Sequence, residues 1–326
     1  MSIEPEQESK SAPSFSANVS AESTQPSFIR FCAVNYQTKK QTLLHDLSFE
    51  LQIGGITALV GLNGAGKSTL LSLATGEQSP TAGEVTIGNC SPCDNNVKQK
   101  LGYQSSTMLA LPALTVKEYL NLVFELKAFD EQLFSSSLSK VVEQWNLESI
   151  LDKLLSRLSQ GNLQKVMIAQ AFIGDPDYLF LDEPSQALDP VEQQRLNKNL
   201  SLLSATQSCL FTSHHVSEIV ANASRVILLD RGRLIALLNL TNENEFWILL
   251  DTNDANSIEK QEPLIDAEIV FRSESKCLVR INQCHGQGEV DNMLRNIGKS
   301  FSSIKFLGNS KEALMPLFNL LANQEF

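Results

Sequence analysis

The chain of 326 residues has no feature that would place it inside a membrane or outside the cell. No uninterrupted apolar stretch reaches the roughly 18 to 20 residues that cross a bilayer, because polar or charged residues interrupt even residues 228–240. Residues 1–27 carry four Glu against one Lys and no apolar run, unlike a secretory signal or an Arg-rich transit peptide. These absences predict a cytoplasmic protein that does not itself span a membrane.

Basic residues and cysteines are both scarce. The 26 Lys and Arg residues oppose 37 Asp and Glu residues, which gives a formal net charge of −11. The long-range basic field typical of nucleic-acid-binding proteins is therefore missing, and we expect no nucleic-acid partner. Six cysteines are too few to indicate a disulfide framework in a chain of this length, so we expect most of them to be buried thiols.

One cysteine pair, Cys90-Ser-Pro-Cys93, has the spacing of metal ligands. No second pair of cysteines or histidines completes a tetrahedral set, so we favour a turn at the end of a strand. Redox or metal sensing is the alternative.

The apolar pattern divides the chain into three parts. Residues 1–27 are rich in Ser and contain almost nothing apolar, which predicts a disordered tail. Short apolar strands, then helical spacing, then strands alternating with helices follow over residues 28–239. This order predicts an α/β domain with a mainly parallel sheet that is covered on both faces.

A polar break at residues 239–245 precedes the last part of the chain. Strand-like and helical patterns over residues 240–326 predict a separate, small α+β domain. Its helices are expected at residues 288–297 and 311–321, the second with Pro316 in its first turn.

The strongest local signal is a glycine-rich turn between a predicted strand and a predicted helix. It matches the phosphate-binding pattern G-x-x-x-x-G-K-[ST] and reads Gly61-Leu62-Asn63-Gly64-Ala65-Gly66-Lys67-Ser68, followed by Thr69. Backbone N–H groups in such a turn surround a β-phosphate, and the helix N-terminus adds partial positive charge. Lys67 would neutralise phosphate oxygens, and Ser68 would bind Mg²⁺. An ordinary glycine-rich turn is the alternative, which the flanking strand and helix disfavour.

A second signal is an apolar strand, Tyr178–Leu181, that ends in Asp182 and Glu183. Ligands of open α/β sheets bind at the carboxyl ends of the strands. We therefore expect Asp182 to hold Mg²⁺ through water and Glu183 to polarise the water that attacks a γ-phosphate. Alone, such a pair more often begins a solvated loop, and it is the presence of Lys67 that favours the functional interpretation.

Over residues 28–239 the chain resembles the nucleotide-binding subunit of the ATP-binding-cassette (ABC) family. The distinguishing segment is Leu158-Ser159-Gln160-Gly161-Asn162, which is similar to the family signature L-S-G-G-Q but departs from it at Gln160 and Asn162. The resemblance implies a P-loop NTPase fold with a mixed RecA-like core, an antiparallel β subdomain and an α-helical subdomain. It also implies that Ser159, Gln160 and Gly161 contact the γ-phosphate held by a partner subunit.

The resemblance implies roles for further positions outside these motifs. Gln104 matches the glutamine that reaches Mg²⁺, and His214 matches the switch histidine that bonds the γ-phosphate. Tyr36 resembles the aromatic residue that stacks on adenine, with a core-facing strand tyrosine as the alternative. Leu188-Asp189 resembles the loop that crosses to the partner subunit.

The function that the resemblance implies is ATP hydrolysis that energises a transporter through ATP-driven dimerisation. The expected partners are a separately encoded transmembrane permease and a second ATP-binding subunit, identical or different, at the cytoplasmic face of the cell membrane. The short span between Lys67 and Ser159 leaves no room for the coiled coil of DNA-repair members, and the single phosphate loop disfavours translation-associated members.

The C-terminal part, the short helical region and the loosely matched signature resemble those of exporter-type cassettes, which implies export of a peptide, lipid, polysaccharide or drug. Three alternatives remain open at this point: a small-molecule importer, a mechanotransmission ATPase that moves no cargo, and a cassette that binds ATP without hydrolysing it.

Overall fold

The computed structural model describes the following parts of the chain: residues 27–106, 111–127, 134–203, 205–251, 267–272, 276–281 and 303–323. The tail predicted over residues 1–27 lies outside the described residues except for Ser27, and so does the helix predicted at residues 288–297.

The described strands are, in chain order, β1 Ser27–Gln37, β2 Thr42–Gln52, β3 Gly55–Val60, β4 Ala82–Ile87, β5 Leu101–Gln104, β6 Tyr178–Leu181, β7 Ser208–Thr212, β8 Arg225–Asp230, β9 Arg233–Asn239, β10 Phe246–Asp251, β11 Ala267–Arg272, β12 Lys276–Ile281 and β13 Ser303–Asn309. The described helices are α1 Lys67–Ala74, α2 Asn95–Gln99, α3 Val116–Leu126, α4 Phe134–Trp145, α5 Gln160–Ala171, α6 Pro190–Ser201, α7 Val216–Asn222 and α8 Ser310–Ala322.

The strands form three sheets. A six-stranded sheet has the order β5-β6-β7-β3-β8-β9, in which every pairing is parallel except that of β8 with β9. A second sheet, β2-β1-β4, is antiparallel and supplies the antiparallel β subdomain. This arrangement confirms the α/β fold with a mainly parallel sheet.

Among the described residues between 115 and 157, the helical part contains α3, α4 and two short 3-10 helices, in agreement with its apolar spacing. Helix α3 begins at Thr115, whose side chain accepts the N–H of Glu118 while the Glu118 carboxylate accepts the N–H of Thr115. Such a capping box satisfies two N–H groups that the first helical turn leaves unpaired. At the end of α4, Trp145 is fully buried and its ring lies 5.3 Å from that of Phe172.

The third sheet, with the order β11-β12-β10-β13, is antiparallel and packs together with α8. Both β11 and α8 contact β9 of the six-stranded sheet. Trp247 and Leu317 therefore belong to the same apolar cluster as Ile235 and Leu238 of β9. The α+β content of this part agrees with the sequence, while the domain boundary at residue 239 stays a prediction.

Two expectations about single residue types were wrong. Pro316 lies in the middle of α8, because Asn309 caps the helix earlier by accepting the N–H groups of Lys311 and Glu312. Of the described cysteines only Cys209 and Cys277 are buried. Cys32 is exposed because it alternates with a buried residue along β1. Cys90 and Cys93 are exposed because they lie in the turn after β4.

No described helix combines the length and hydrophobicity that a membrane span requires.

Candidate functional site

The glycine-rich turn joins the end of β3 to the start of α1, at the carboxyl edge of the six-stranded sheet. At Gly61 a Cβ would lie 2.4 Å from the carbonyl oxygen of Leu229, so no larger residue fits there. Gly66 has a φ of 102°, and a Cβ on it would lie 2.7 Å from a Leu44 methyl carbon. These two glycines therefore allow the turn to curl tightly around the N-terminus of α1.

Lys67 is the first residue of α1, and its side chain turns back over the glycine-rich turn. Its Nζ donates to the carbonyl oxygen of Gly61 at 2.8 Å and to that of Leu62 at 3.3 Å. Burial lowers the pKa of Lys67, while the carboxylates of Glu183 and Asp182 act in the opposite direction. A cation is thus held against the carbonyl groups at the start of the turn, next to two carboxylates. Ser68 is exposed and Thr69 half-buried on the same turn of the helix.

Asp182 follows β6 directly and is buried, with 1% of its surface exposed. Both carboxylate oxygens accept a hydroxyl: Ser106 donates to Oδ2 at 2.6 Å, and Thr212 donates to Oδ1 at 2.7 Å. These bonds fix the orientation of a carboxylate at the carboxyl end of the sheet, where the sequence predicts it.

Gln104 ends β5 and is fully buried beside Asp182. Its Nε2 donates to the carbonyl oxygens of Ser105 at 2.9 Å and Asp182 at 3.1 Å. Its Oε1 has no hydrogen-bond partner among the described residues. A buried acceptor rarely stays unpaired, so this oxygen fits a cation or a cation-bound water. The set of Ser68, Gln104 and Asp182 consists of oxygen donors, which is the ligand chemistry of Mg²⁺.

Glu183 adopts a φ of 50°, a left-handed conformation that non-glycine residues rarely adopt. Its Oε2 lies 2.8 Å from His214 Nδ1, and its Oε1 lies 4.0 Å from Lys67 Nζ. Three residues that are far apart in the chain therefore meet around one carboxylate. The side chain of His214 is about half exposed, so one face of this group is open to a ligand.

The segment Ser159–Gly161 lies at the start of α5. The Ser159 side chain accepts the N–H of Asn162 at 3.3 Å, and both Ser159 and Gln160 are exposed. A Cβ at Gly161 would lie 2.9 Å from the carbonyl oxygen of Ala187, so Gly161 packs closely against the loop before α6. Among the described residues, no hydrogen bond or ion pair joins this segment to Lys67 or Glu183. The segment is thus an exposed helix start apart from the phosphate loop.

Two other predicted positions lie further out. Tyr36 is half-buried on β1 and packs at the edge of the apolar cluster below the turn, which leaves both the stacking role and the core role open. Leu188 is buried, and Asp189 caps α6 by accepting the N–H of Glu192 at 2.9 Å.

Residues that the motifs do not name complete the site. Besides its bond to Asp182, the Thr212 hydroxyl accepts the N–H of Glu183 at 2.7 Å. Glu218 of α7 accepts hydroxyls from Ser185 at 2.9 Å and Ser213 at 2.6 Å, and so ties the loop after Glu183 to the loop of His214. No pattern in the sequence indicated these contacts of Thr212.

Known proteins that are similar to this chain point to one family. A family model described as "ABC transporter" matches residues 44–186. The zinc import ATP-binding protein ZnuC of Rickettsia conorii is 31% identical over 210 residues, which cover 63% of this chain and 84% of ZnuC. The chain belongs to the ABC transporter family of ATP-binding proteins. It contains an ABC ATPase domain with the P-loop NTPase fold.

Other ABC proteins match the same part. Human ATP-binding cassette sub-family A member 10 is 29% identical over 257 residues, or 74% of this chain and 17% of that protein. A solved ATP-binding subunit of an ABC transporter superimposes with a TM-score of 0.61 and 27% identity over 65% of this chain and 90% of its own. The first four curated relatives are much longer proteins, of which the chain spans 12 to 17%.

An ABC cassette solved as a dimer in a post-hydrolysis state with ADP and Pi shares the fold, with a TM-score of 0.59 and 23% identity over 66% of this chain and 99% of its own.

Proposed function

We propose that the chain hydrolyses ATP to drive the pairing and separation of two ATP-binding subunits, and that this cycle energises a separately encoded transmembrane permease. The observation that carries the proposal is the meeting of Lys67, Glu183 and His214 around one open face. Phosphoryl transfer depends on placing charges around the transferred group, and these three side chains supply a cation, a base and a hydrogen-bonding group.

Each site residue takes a role that its position supports. The N–H groups of residues 61–69 bind the β-phosphate, and Lys67 neutralises the oxygens of the β- and γ-phosphates. Glu183 accepts a proton from the attacking water, and His214 senses the γ-phosphate. Tyr36 stacks on adenine. Ser68, Gln104 and Asp182 hold Mg²⁺, which when bound neutralises charge that develops on the phosphate oxygens.

The exposed start of α5 supports the proposed pairing. Ser159, Gln160 and Gly161 present a helix N-terminus, which favours an anion, yet the described residues show no bond between this segment and the phosphate loop. In a pair, this segment of one subunit covers the γ-phosphate bound by the other. ATP then favours the closed pair because each nucleotide contacts both subunits, and hydrolysis removes that preference. We propose two identical copies, with two different subunits as the alternative.

We further propose that the driven process is export of a peptide, lipid, polysaccharide or drug, at the cytoplasmic face of the membrane. The departures at Gln160 and Asn162 from L-S-G-G-Q support this direction, as does a C-terminal part that forms an open antiparallel sheet with a helix. The relative ZnuC is named for zinc import, so import is the competing direction. Co-purification of the full chain from detergent-solubilised membranes identifies the partner. Many spanning helices support transport, and a four-helix partner with a large external domain supports mechanotransmission instead.

Steady-state ATP turnover tests the catalytic part of the proposal. We expect Glu183→Gln to lower turnover at least about a hundredfold, because an amide cannot accept the proton of water. Glu143→Gln, which alters an exposed residue of α4, is the matched control and keeps wild-type turnover. Unchanged turnover in Glu183→Gln would remove Glu183 from this role.

A further inference from the structure

Thr212 links both carboxylates of the site through a single buried hydroxyl. It is the last residue of β7 and is fully buried. Its Oγ1 donates to Asp182 Oδ1 at 2.7 Å and accepts the N–H of Glu183 at 2.7 Å. A hydroxyl has one proton and two lone pairs, so it can make both bonds at once. The side chain thus contacts the two residues that directly follow the neighbouring strand β6.

The Asp182 carboxylate accepts hydrogen bonds from two hydroxyl groups, and the one from Thr212 is better shielded from water. Ser106, which donates to the other carboxylate oxygen at 2.6 Å, is exposed. Thr212 is instead held within the parallel sheet, where Leu181 pairs with Phe211 one residue earlier. The strand register therefore fixes the distance between the hydroxyl and Asp182.

At Glu183 the bond restrains the backbone. The left-handed φ of 50° at this residue is strained for a side chain with a Cβ, and such conformations persist only where neighbours hold them. The Thr212 hydroxyl is a neighbour of this kind, because it takes up the Glu183 N–H. In that conformation the carboxylate reaches His214 at 2.8 Å.

We propose that Thr212 is a positioning residue for ATP hydrolysis, whose hydroxyl orients Asp182 towards Mg²⁺ and Glu183 towards the attacking water. The inference rests on the proposed function and extends it to a residue outside the motifs. Thr212 need not touch the nucleotide, and it acts only through its two neighbours.

The structure offers a matched set of variants. Thr212→Val keeps the shape of the side chain and removes the hydroxyl, whereas Thr212→Ser keeps the hydroxyl and removes a methyl group. Thr57 of the adjacent strand β3 is also fully buried, but its Oγ1 has no hydrogen-bond partner among the described residues. Thr57 pairs with Leu210, two residues before Thr212, so Thr57→Val makes the same chemical change in the adjacent strand without removing a bond.

Two quantities are measured on the full chain: steady-state ATP turnover, and the affinity for a fluorescent ATP analogue with Mg²⁺ and with EDTA. We expect Thr212→Val to lower kcat by about tenfold to a hundredfold, because two hydrogen bonds at charged or strained groups are lost. It should also reduce the gain in affinity that Mg²⁺ provides, while the affinity in EDTA stays at the wild-type value. Thr212→Ser should recover most of kcat, and Thr57→Val should match the wild type.

Four results would overturn the inference. The first is a Thr212→Val variant with the kcat and the Mg²⁺ dependence of the wild type. The second is an equal loss of kcat in Thr212→Ser and Thr212→Val, and the third is the same loss of kcat in Thr57→Val. The fourth is a Thr212→Val variant that loses nucleotide affinity in EDTA. The last result would show that Thr212 supports the fold rather than the carboxylates. Failure of the proposed function is distinguishable, because the wild-type chain itself would then show no turnover, and the Mg²⁺-dependent affinity would still test Thr212.

Discussion

Lys67 places a buried cation between the glycine-rich turn and the carboxylate of Glu183. Its two bonds to backbone carbonyl oxygens, at 2.8 and 3.3 Å, hold the ammonium group over the turn without a nucleotide contact. Burial partly desolvates the ammonium group, which lowers its pKa and strengthens its interaction with an anion that enters the site. In the proposed function, this buried cation meets the phosphate oxygens of the nucleotide.

We predict that Lys67→Ala weakens nucleotide binding at least about tenfold, because a charge-assisted contact to the phosphates is lost. Titration with a fluorescent ATP analogue measures the dissociation constant. Lys98→Ala, at an exposed lysine of α2, is the control and should bind as the wild type does. Equal affinities of the Lys67 variant and the wild type would contradict the proposed phosphate site.

The sequence predicted the residues of the site that lie in continuous motifs, but not the hydrogen bonds that these residues make with neighbouring strands. Lys67 and Asp182 follow from local patterns, since each motif places its own residues at the end of a strand. The bonds of Thr212 depend on which residue of β7 lies beside Asp182, and that register arises from packing of the whole sheet. The strained φ of Glu183 likewise has no signature in the residues around it.

At the scale of elements, the helical part contains a lysine, Lys127, whose charged group is largely buried. Lys127 caps α3, and its Nζ donates to the carbonyl oxygen of Ile173 at 2.9 Å. Burial lowers the pKa of Lys127 to about 8 from its usual value of 10.5. Between these two values the unfolded chain binds more protons than the folded one, so the free energy of unfolding that this group contributes rises with pH.

We predict that Lys127→Met is more stable than the wild type at pH 7, by about 1 to 2 kcal/mol, because the cost of burying a charged group is removed. The gain should shrink by pH 10, where the folded wild type has lost the proton. Urea unfolding at both pH values measures the difference, with the exposed Lys117→Met as a control for removing a charge from α3. A gain that is equal at both pH values would contradict the prediction.

Strand and helix positions were largely predictable from apolar spacing, and the exceptions have physical reasons. Strand β6 begins and ends where the sequence predicts it, because its buried residues form an unbroken apolar run. Strand β4 was not predicted, since only Val85 and Ile87 are buried in it. Helix α8 begins at Ser310, one residue before the predicted start, because the capping box of Asn309 and Glu312 fixes its first turn, and Pro316 therefore lies inside the helix.

At the scale of the molecule, the C-terminal sheet shares its core with the ATPase sheet. Leu238 of β9 is fully buried in the same cluster as Trp247 and Leu317. Removal of residues 240–326 would expose this face of β9 to water. We predict that the shortened chain melts at least about 5 °C below the full chain, as differential scanning calorimetry would measure. An unchanged melting temperature would show that residues 240–326 form an independent domain, as their sequence alone suggested.

The account depends most on the pairing of two subunits around ATP. Light scattering coupled to size-exclusion chromatography gives the mass of the full-length Glu183→Gln variant at saturating Mg-ATP and without nucleotide. The account predicts a dimer with Mg-ATP, since the closed pair forms but cannot be released by hydrolysis, and a monomer of 36.0 kDa without it. A variant that stays monomeric at saturating Mg-ATP, while the fluorescent analogue shows that nucleotide is bound, would contradict it.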